Sequence, residues 1–356
     1  INIRLLNGNP HDYRKHLSSC TDDFEKLNTS NIQVDPADLP FAAQCTEPMT
    51  YCYPPQQNMF QFWTNLTIDL YGGYFMTPNG NFTNGDMGEN RGHSGGMYEN
   101  YYLHIFNNTR RIIAQCDASG ERGLSGVMRI VQAYGTLMTT DAYGPIPYSS
   151  ILSGENEVYF EFDSQKDLYK AMLEDLSTAI TDISAMGADE IAKLKSFDCW
   201  CNGDKDLWVK IANTMKLRMA LRLSKRETEA GNAGMNLKAI ATEAAQNTLA
   251  TVNKDILIDK SLENEMWLMF NWGDCGFNAN LVTIMSGTKD PRQPLYMTLN
   301  TGDIKNEAGT TTVAANSQYL GIRFASGLPA KPNSWGNFSG WIQGNNGSSY
   351  SMPLPS

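Results

Sequence analysis

The segment of residues 127–150 constrains the fold more than any other stretch of this chain. Its first half carries apolar residues at the three- and four-residue spacing of one helix face: Val127, Ile130, Val131, Tyr134, Leu137 and Met138. Its second half is not helical, because Pro145 and Pro147 lack a backbone donor and push the preceding residues toward extended conformations. We therefore predict a core helix that ends near Asp141, followed by a rigid loop over residues 143–148. Local physics favours a helix stop whose two tyrosines pack against the core.

Four motifs occur in an order that resembles a known family. Residues 20–28 read CTDDFEKLN, residues 207–218 read LWVKIANTMKLR and residues 289–296 read KDPRQPLY. Together with the helix that runs into DAYGPIPYS, they resemble the SusD/RagB-like nutrient-binding lipoproteins of Bacteroidetes outer membranes, and in particular the SusD-like group 2 branch. The resemblance implies a mainly α fold: a tetratricopeptide-like scaffold of helical pairs with a large loop-rich, partly β region that faces the ligand.

The composition is that of a globular protein, and the charge disfavours two classes of partner. Hydrophobic residues make up 41% and charged residues 19% of the 356 residues, so the chain can bury a large core. The net charge of −10 disfavours nucleic acid and anionic membrane surfaces, since both require a basic footprint. No apolar run approaches the roughly 18 residues of a membrane-spanning helix.

The seven cysteines do not form a metal-binding pattern. Cys199 and Cys201 make a lone C-x-C pair, whereas structural zinc sites use two short-spaced ligand pairs. We expect no metal. Disulfides stay open as an alternative, and the odd count leaves at least one cysteine outside any intrachain pair.

The N-terminal sequence predicts lipid attachment. Residues 17–20 read LSSC and resemble a lipobox, in which the cysteine becomes lipidated. A secretory signal requires an apolar region of about 7–15 residues before that site, whereas residues 7–16 are polar. Our hypothesis is that Cys20 carries the lipid and that residues 1–19 are a leader or altered signal segment.

Helical periodicity recurs along much of the chain. Further helices are predicted over residues 57–75, over residues 98–116, from Asp163 or Ser164 to Ile183, from Asp204 or Asp206 onward, and over residues 235–249. Six or seven helices joined by short breaks fit paired antiparallel packing. No convincing repeat of about 34 residues is found, so a tetratricopeptide-like repeat depends on the resemblance.

From residue 271 onward the sequence is rich in Gly, Asn, Ser and Thr and predicts loops with a few short strands. Members of the family resembled carry further helices after such a region, and these helices close the helical core. We therefore expect residues 20–356 to form a single SusD-like domain that lacks its C-terminal helices.

Catalytic patterns find little support. Ser94 lies in a G-x-S-x-G string, but a nucleophile elbow requires a strand before the serine, and a Gly- and Asn-rich loop is predicted there. The sequence contains no nucleotide-binding loop and no histidine metal motif, and its acidic pairs fit a solvated surface. We expect no catalytic residue and no cofactor, and a hydrolase that uses Ser94 is kept as an alternative.

Three tryptophans in the loop-rich region are candidates for ligand contact. Sugars present flat C–H faces and many hydroxyls, so a sugar site combines exposed rings with polar side chains. Trp272 lies beside Asn271 and Asp274, and amide side chains also flank Trp335 and Trp341. The alternative is that these indoles cover the helical core, since tryptophan is highly buried on average.

The resemblance also implies a function. It predicts a cell-surface protein, lipid-anchored in the outer membrane, that binds oligosaccharides and delivers them to a SusC-like TonB-dependent transporter. Such a protein contacts the membrane through its lipid anchor only and binds no nucleic acid. Peptide capture for a similar transporter is one alternative, and a structural role in which the loops contact only the transporter is another.

Overall fold

The structure is a computed structural model that describes residues 39–53, 61–77, 88, 90–152, 159–254, 276–300, 302–305 and 310–324. The chain divides into two compact units, residues 1–44 and residues 45–356. The described part of the first unit is Leu39, Pro40 and the beginning of helix α1, Phe41–Tyr51. All other described elements belong to the second unit.

The second unit is built mainly of helices. Helix α2 begins as a π-helix, Gln61–Ile68, and continues as the α-helical turn Asp69–Tyr71. A short α3, Arg91–Ser94, precedes α4, which joins Gly96–Asn100, a π-helical stretch Tyr101–Phe106 and Asn107–Ser119. The next helices are α5, Arg122–Tyr143; α6, Ser149–Leu152; α7, Gln165–Ser184; α8, Ala188–Lys195; and α9, Lys205–Arg222.

The remaining elements are shorter. The 3-10 turn Leu223–Arg226 is followed by α10, Glu227–Asn232; α11, Leu237–Ala244; and the 3-10 turns Ala245–Asn247 and Leu249–Val252. Helices α12, Ala279–Thr288, and α13, Gln293–Tyr296, lie in the later part of the chain. Strand β1, Phe75–Met76, pairs antiparallel with β2, Gly276–Phe277, and β3, Ile304–Lys305, pairs antiparallel with β4, Thr311–Val313.

Helix α5 is the centre of the helical body, because it is buried on most sides along most of its length. On one side it runs antiparallel to α4, where the hydroxyls of Tyr101 and Thr136 lie 2.7 Å apart. On the other side it runs antiparallel to α7, where Arg129 Nη1 donates to Asp175 Oδ1 at 2.6 Å. A Cβ at Gly135 would lie 2.8 Å from Ile105 Cγ2, so this glycine allows α4 and α5 to approach closely.

The same antiparallel arrangement continues through the next helices. Lys205 at the beginning of α9 donates to the Ser184 carbonyl at the end of α7, at 3.1 Å. Thr214 of α9 accepts the Leu249 N–H from the turn after α11, at 3.0 Å. Consecutive helices therefore pack as antiparallel pairs, and the predicted tetratricopeptide-like helical scaffold is confirmed.

The ends of the long helices agree closely with the sequence signals. Ser164 caps α7 by accepting the Asp167 N–H, and Asp204 caps α9 by accepting the N–H groups of Asp206 and Leu207. Helix α5 ends at Tyr143 rather than near Asp141, because Gly144 takes a positive φ of 79° and its N–H still bonds to the Thr140 carbonyl.

Two local predictions were wrong, and one helix was not predicted. Phe75 lies in strand β1 and not at the end of a helix, since it pairs with Phe277 across the chain. Residues 279–288 are helical within a region predicted as loop, because Asn278 caps this apolar segment by accepting the Asn280 N–H. Gly187 precedes α8, a helix that the sequence reasoning missed, with acidic residues in its first turn and lysines in its last.

Candidate functional site

The five predicted ligand contacts, Trp272, Trp335, Trp341, Asn271 and Asp274, lie outside the described residues, and so does Cys20. The described chain resumes at Gly276, directly after the segment that contains three of these residues. Gly276 belongs to β2 and pairs with Met76 of β1. The segment that contains Asn271, Trp272 and Asp274 is therefore continuous in the chain with the surface around the Met76–Gly276 pair.

This surface, which we call the corner, comprises residues 68–74, 276–280 and 322–324. Backbone hydrogen bonds join its three segments: Asn278 N donates to the Tyr74 carbonyl at 3.0 Å, and Ala279 N donates to the Ile322 carbonyl at 2.8 Å. An apolar cluster joins two residues of the β1–β2 pair to residues of the following helices: Phe75, Phe277, Val282, Met285 and Met297. The corner thus has a packed base of its own.

Aromatic side chains of the corner face the solvent. Tyr71 is 42% and Tyr74 is 54% exposed, and Ile68, one helical turn before Tyr71, is 42% exposed. The Tyr71 hydroxyl donates to the Gly88 carbonyl at 3.1 Å, which orients this ring. Exposed tyrosines present a flat apolar face together with a polar tip, which is the chemistry that stacks on a sugar ring.

An amide and a third ring lie beside these tyrosines. A Cβ placed at Gly73 would be 3.9 Å from Phe324 Cζ and 4.0 Å from Asn280 Nδ2, so both side chains border the glycine. Asn280 is exposed and Phe324 is half-buried. An amide group both donates and accepts hydrogen bonds, so Asn280 can pair with a hydroxyl in either direction.

Asp69 is the acidic side chain of the corner, which also contains the exposed Arg323. Burial raises the pKa of its carboxyl from 3.8 to about 7. None of the described residues forms an ion pair or hydrogen bond with this carboxyl group. Near neutral pH the group is therefore partly protonated and can either donate a hydrogen bond to a polar ligand or accept one.

An open groove lies on α11. It has a volume of about 480 Å³ and is lined by Asn236, Lys238, Ala239, Thr242, Glu243 and Gln246. Its lining contains no aromatic ring, so it lacks the stacking surface that the corner provides.

The loop of residues 143–148, which carries the most distinctive motif of the sequence, is structural. Asp163 accepts the N–H groups of Tyr148 and Ser149 at 2.9 and 2.8 Å, and it bridges to Ile146. Tyr148 is 5% exposed, and the half-buried ring of Tyr143 stacks on Trp63 at 5.5 Å between centroids. The predicted helix stop with two tyrosines packed against the core is confirmed.

The geometry around Ser94 differs from that of a hydrolase. Ser94 ends the short helix α3, whose cap residue Asn90 accepts the His93 N–H at 3.3 Å. Its carbonyl accepts a hydrogen bond from the Tyr143 hydroxyl. A nucleophile elbow places its serine between a strand and a helix, and the residues around Ser94 form a helical turn instead. Within the described ranges, no three His, Cys, Asp or Glu side chains cluster as metal ligands.

Sequence reasoning missed every residue of the corner, although one signal was present. Tyr71 and Tyr74 flank a Gly-Gly pair, and both rings are exposed where the helix ends. Asp69, Asn280 and Phe324 carry no local signal, because only tertiary contacts bring their segments together. The β1–β2 pair joins residues about two hundred positions apart, and the Ala279–Ile322 hydrogen bond joins residues about forty positions apart.

The fold and this surface define a helical, tetratricopeptide-like protein that presents aromatic and polar groups at the junction with its loop-rich region. Residues 24–349 match the SusD-like family, described as Susd and RagB outer membrane lipoprotein, and the chain belongs to this family. In the described part of the chain, no helix has both the length and the apolar character needed to cross a membrane. No curated protein matches the chain.

Solved structures share this fold. The chain is similar to a SusD-like protein from Bacteroides thetaiotaomicron, with a TM-score of 0.70 and 23% identity over 88% of this chain and 62% of that one. It is similar to a chitin-binding SusD homologue from Flavobacterium johnsoniae, with a TM-score of 0.71 and 22% identity over 88% and 62%. It is also similar to a SusD homologue from Bacteroides vulgatus, with a TM-score of 0.67 and 24% identity over 87% of this chain and 62% of that one. The chain therefore spans about 62% of the length of these proteins.

Proposed function

We propose that this protein binds oligosaccharides at the cell surface and delivers them to a partner TonB-dependent outer-membrane transporter. The observation that carries the proposal is the corner, where two exposed tyrosines lie near an exposed amide and a carboxyl group without an ionic partner. Rings stack on the C–H faces of a sugar, while amide and carboxyl groups bond its hydroxyls. No covalent chemistry is required of the protein.

The loop-rich region extends this surface in our proposal. Trp272 and Asp274 precede Gly276, and Gly276 is fixed to the corner by its pairing with Met76. Both residues remain predicted ligand contacts, as do Asn271, Trp335 and Trp341. The chitin-binding relative supports a glycan as the ligand, since its fold is shared over most of this chain.

Calorimetric titration tests the proposal. We would titrate the purified protein with chitooligosaccharides, other oligosaccharides and short peptides. Saturable heat with one glycan class is expected. Tyr74→Ala should weaken that binding by about fivefold, which corresponds to roughly 1 kcal/mol for one stacked ring. Trp272→Ala tests the predicted loop contact in the same way.

The matched control is Tyr159→Ala, because this tyrosine is 86% exposed and lies in the segment that precedes α7 rather than at the corner. An equal loss in the control would show that the effect is not specific to the corner. Heat with peptides alone would move the protein to peptide capture. Glycan cleavage that Ser94→Ala abolishes would favour the hydrolase alternative, and silence with every ligand would contradict the proposal.

Delivery to a transporter and lipid anchoring form the second half of the proposal. Membership of an outer-membrane lipoprotein family supports both. A barrel protein of the SusC-like kind should co-purify when the anchored protein is extracted from outer membranes in mild detergent. Purification without such a partner, under conditions that retain glycan binding, would contradict delivery and leave the binding role intact.

A further inference from the structure

Asn202 and Gly203 form an Asn-Gly pair in the turn of residues 198–203, between α8 and α9. Both residues take a left-handed backbone conformation, with a φ of 53° at Asn202 and 81° at Gly203. Asn202 is exposed, whereas the Gly203 N–H donates to Asp198 Oδ2 at 2.8 Å. Asparagine before glycine is prone to spontaneous deamidation, because glycine has no Cβ to hinder the approach of its nitrogen to the side-chain amide.

Deamidation of such a pair begins at the glycine nitrogen. The Gly203 nitrogen loses its proton and attacks Cγ of Asn202, so that an N–Cγ bond forms and the Cγ–Nδ2 bond breaks with release of ammonia. Water then opens the five-membered succinimide at one of its two carbonyl carbons. The products are aspartate and isoaspartate, and the net change is one water taken up for one ammonia released. In isoaspartate the main chain runs through the side-chain carboxyl group and is one carbon longer.

The folded turn opposes the first step of this reaction. Removing the Gly203 proton would place a negative charge beside the Asp198 carboxylate, and like charges disfavour ionisation. The carboxylate is buried and also accepts the backbone N–H groups of Trp200 and Cys201 and the Trp208 indole N–H. It cannot turn away from Gly203 without leaving these donors unpaired, which is costly.

We propose that Asn202 is a site of spontaneous deamidation that Asp198 keeps closed in the folded protein. The reaction then proceeds only in chains whose turn has opened locally and released the Gly203 N–H. The proposal is independent of the ligand and of the transporter. It assigns a chemical modification without an enzyme to the exposed side chain of Asn202.

Isoaspartate at this position prevents the turn from closing again. Gly203 approaches the end of α8 so closely that a Cβ on it would lie 2.8 Å from Lys195 Cβ. The additional main-chain carbon displaces Gly203 from this contact and its N–H from Asp198. The Trp200 indole of the same turn donates to the Met49 carbonyl of α1 at 3.2 Å, so the change also weakens the attachment of α1.

Peptide mapping by mass spectrometry tests the proposal on the full chain. Folded protein and protein unfolded in guanidinium chloride are incubated at the same mildly alkaline pH, and the deamidated peptides that contain Asn202 are followed over time. We expect the reaction to be slower in the folded protein on the order of a hundredfold, because opening leaves several buried donors unpaired. Equal rates in the folded and unfolded chains would overturn the proposal.

Hydrogen exchange at the Gly203 N–H gives a second measure in the unaltered protein. Exchange and deamidation require the same opening, so folding should slow both by a similar factor. Deamidation that is slowed much less than exchange would show that the reaction proceeds while Asp198 holds the N–H, and would contradict the proposal. Deamidation that is slowed much more would assign the protection to another contact, with the same consequence.

Variants assign the protection to the carboxylate. Asp198→Asn removes the negative charge at nearly unchanged size, and it should speed both deamidation at Asn202 and exchange at Gly203 while a thermal melt shows that the chain is folded. Asp189→Asn is the matched control, since Asp189 is exposed in the first turn of α8 and should leave both rates unchanged. Unchanged rates in a folded Asp198→Asn protein, or an equal rise in the control, would overturn the proposal. If Asp198→Asn does not fold, the comparison of exchange with deamidation in the unaltered protein decides.

Discussion

Trp208 donates its indole N–H to the buried carboxylate of Asp198 at 2.8 Å. The same carboxylate accepts the backbone N–H groups of Trp200, Cys201 and Gly203. Four donors thus compensate a buried negative charge, and no cation among the described residues pairs with it. This one side chain joins the turn of residues 198–203 to α9, and the stacking of Trp200 on Trp208 at 5.3 Å covers it.

Asp198→Ala should destabilise the protein by about 3 kcal/mol, because its buried donors lose their acceptor. Urea unfolding followed by circular dichroism measures the change. Asp189→Ala is the matched control, since Asp189 is exposed in the first turn of α8 and should cost less than about 1 kcal/mol. Similar losses in both variants would contradict the role assigned to Asp198.

Gly135→Ala should cost about 1–3 kcal/mol through overpacking, because the added methyl group would meet Ile105 at 2.8 Å. Gly96→Ala is the comparison, since no atom of the described residues lies within 4 Å of a Cβ at this position at the beginning of α4. It should be neutral or stabilise by up to about 1 kcal/mol through helix propensity. Thermal unfolding of both variants decides whether the close approach of α4 and α5 is required.

Asp69 should make stability fall as pH rises. Burial raises the pKa of its carboxyl to about 7 in the folded state, whereas the unfolded chain releases this proton near pH 4. Between these two pH values the folded state binds more protons than the unfolded chain. The contribution of Asp69 to the free energy of unfolding is therefore fully present below about pH 4 and is lost progressively as the pH rises to about 7. Asp69→Asn should therefore add about 2 kcal/mol at pH 8 and little at pH 4. Urea unfolding at both pH values tests this, and an equal gain at pH 4 would contradict it.

Cys20→Ser should release the protein from the membrane fraction, because the hypothesis assigns the lipid to this thiol. Metabolic labelling with a fatty acid and fractionation measure the anchor directly. Cys201→Ser should keep both the label and the membrane association. A Cys20→Ser protein that still carries the label would refute the hypothesis.

Much of the helical scaffold was predictable because the signals are local. Apolar spacing along α5, α7 and α9 and the caps at Ser164 and Asp204 act within a few residues of the helix itself. Helix α8 is not evident from the sequence, because glycine is typical of a helix break and Gly187 immediately precedes the first helical residue. A composition rich in Asn, Gly, Ser and Thr likewise obscured the apolar residues of α12.

The candidate site was far less predictable, since it depends on contacts across the whole chain. The pairing of Phe75 with Phe277 brings Asn280 next to Gly73, and no local sequence pattern predicts this contact. From the sequence alone, the tyrosines at the end of α2 could face either the core or the solvent. The packing of Leu70 on Met76 fixes which face of the helix points inward. The predicted tryptophans stay predictions.

The π-helical beginning of α2 bears on how relatives diverge. Its hydrogen bonds skip one more residue than those of an α-helix, so Gln61–Ile68 holds more residues in each turn. Each residue of a π-helix advances less about the axis than the roughly 100° of an α-helical residue, so the segment takes up one extra residue with little net rotation. The loss of one residue here would let the segment close as an α-helix and leave Tyr71 on nearly the same face. Insertions and deletions of one residue in this segment can therefore accumulate among relatives without moving the rings of the corner.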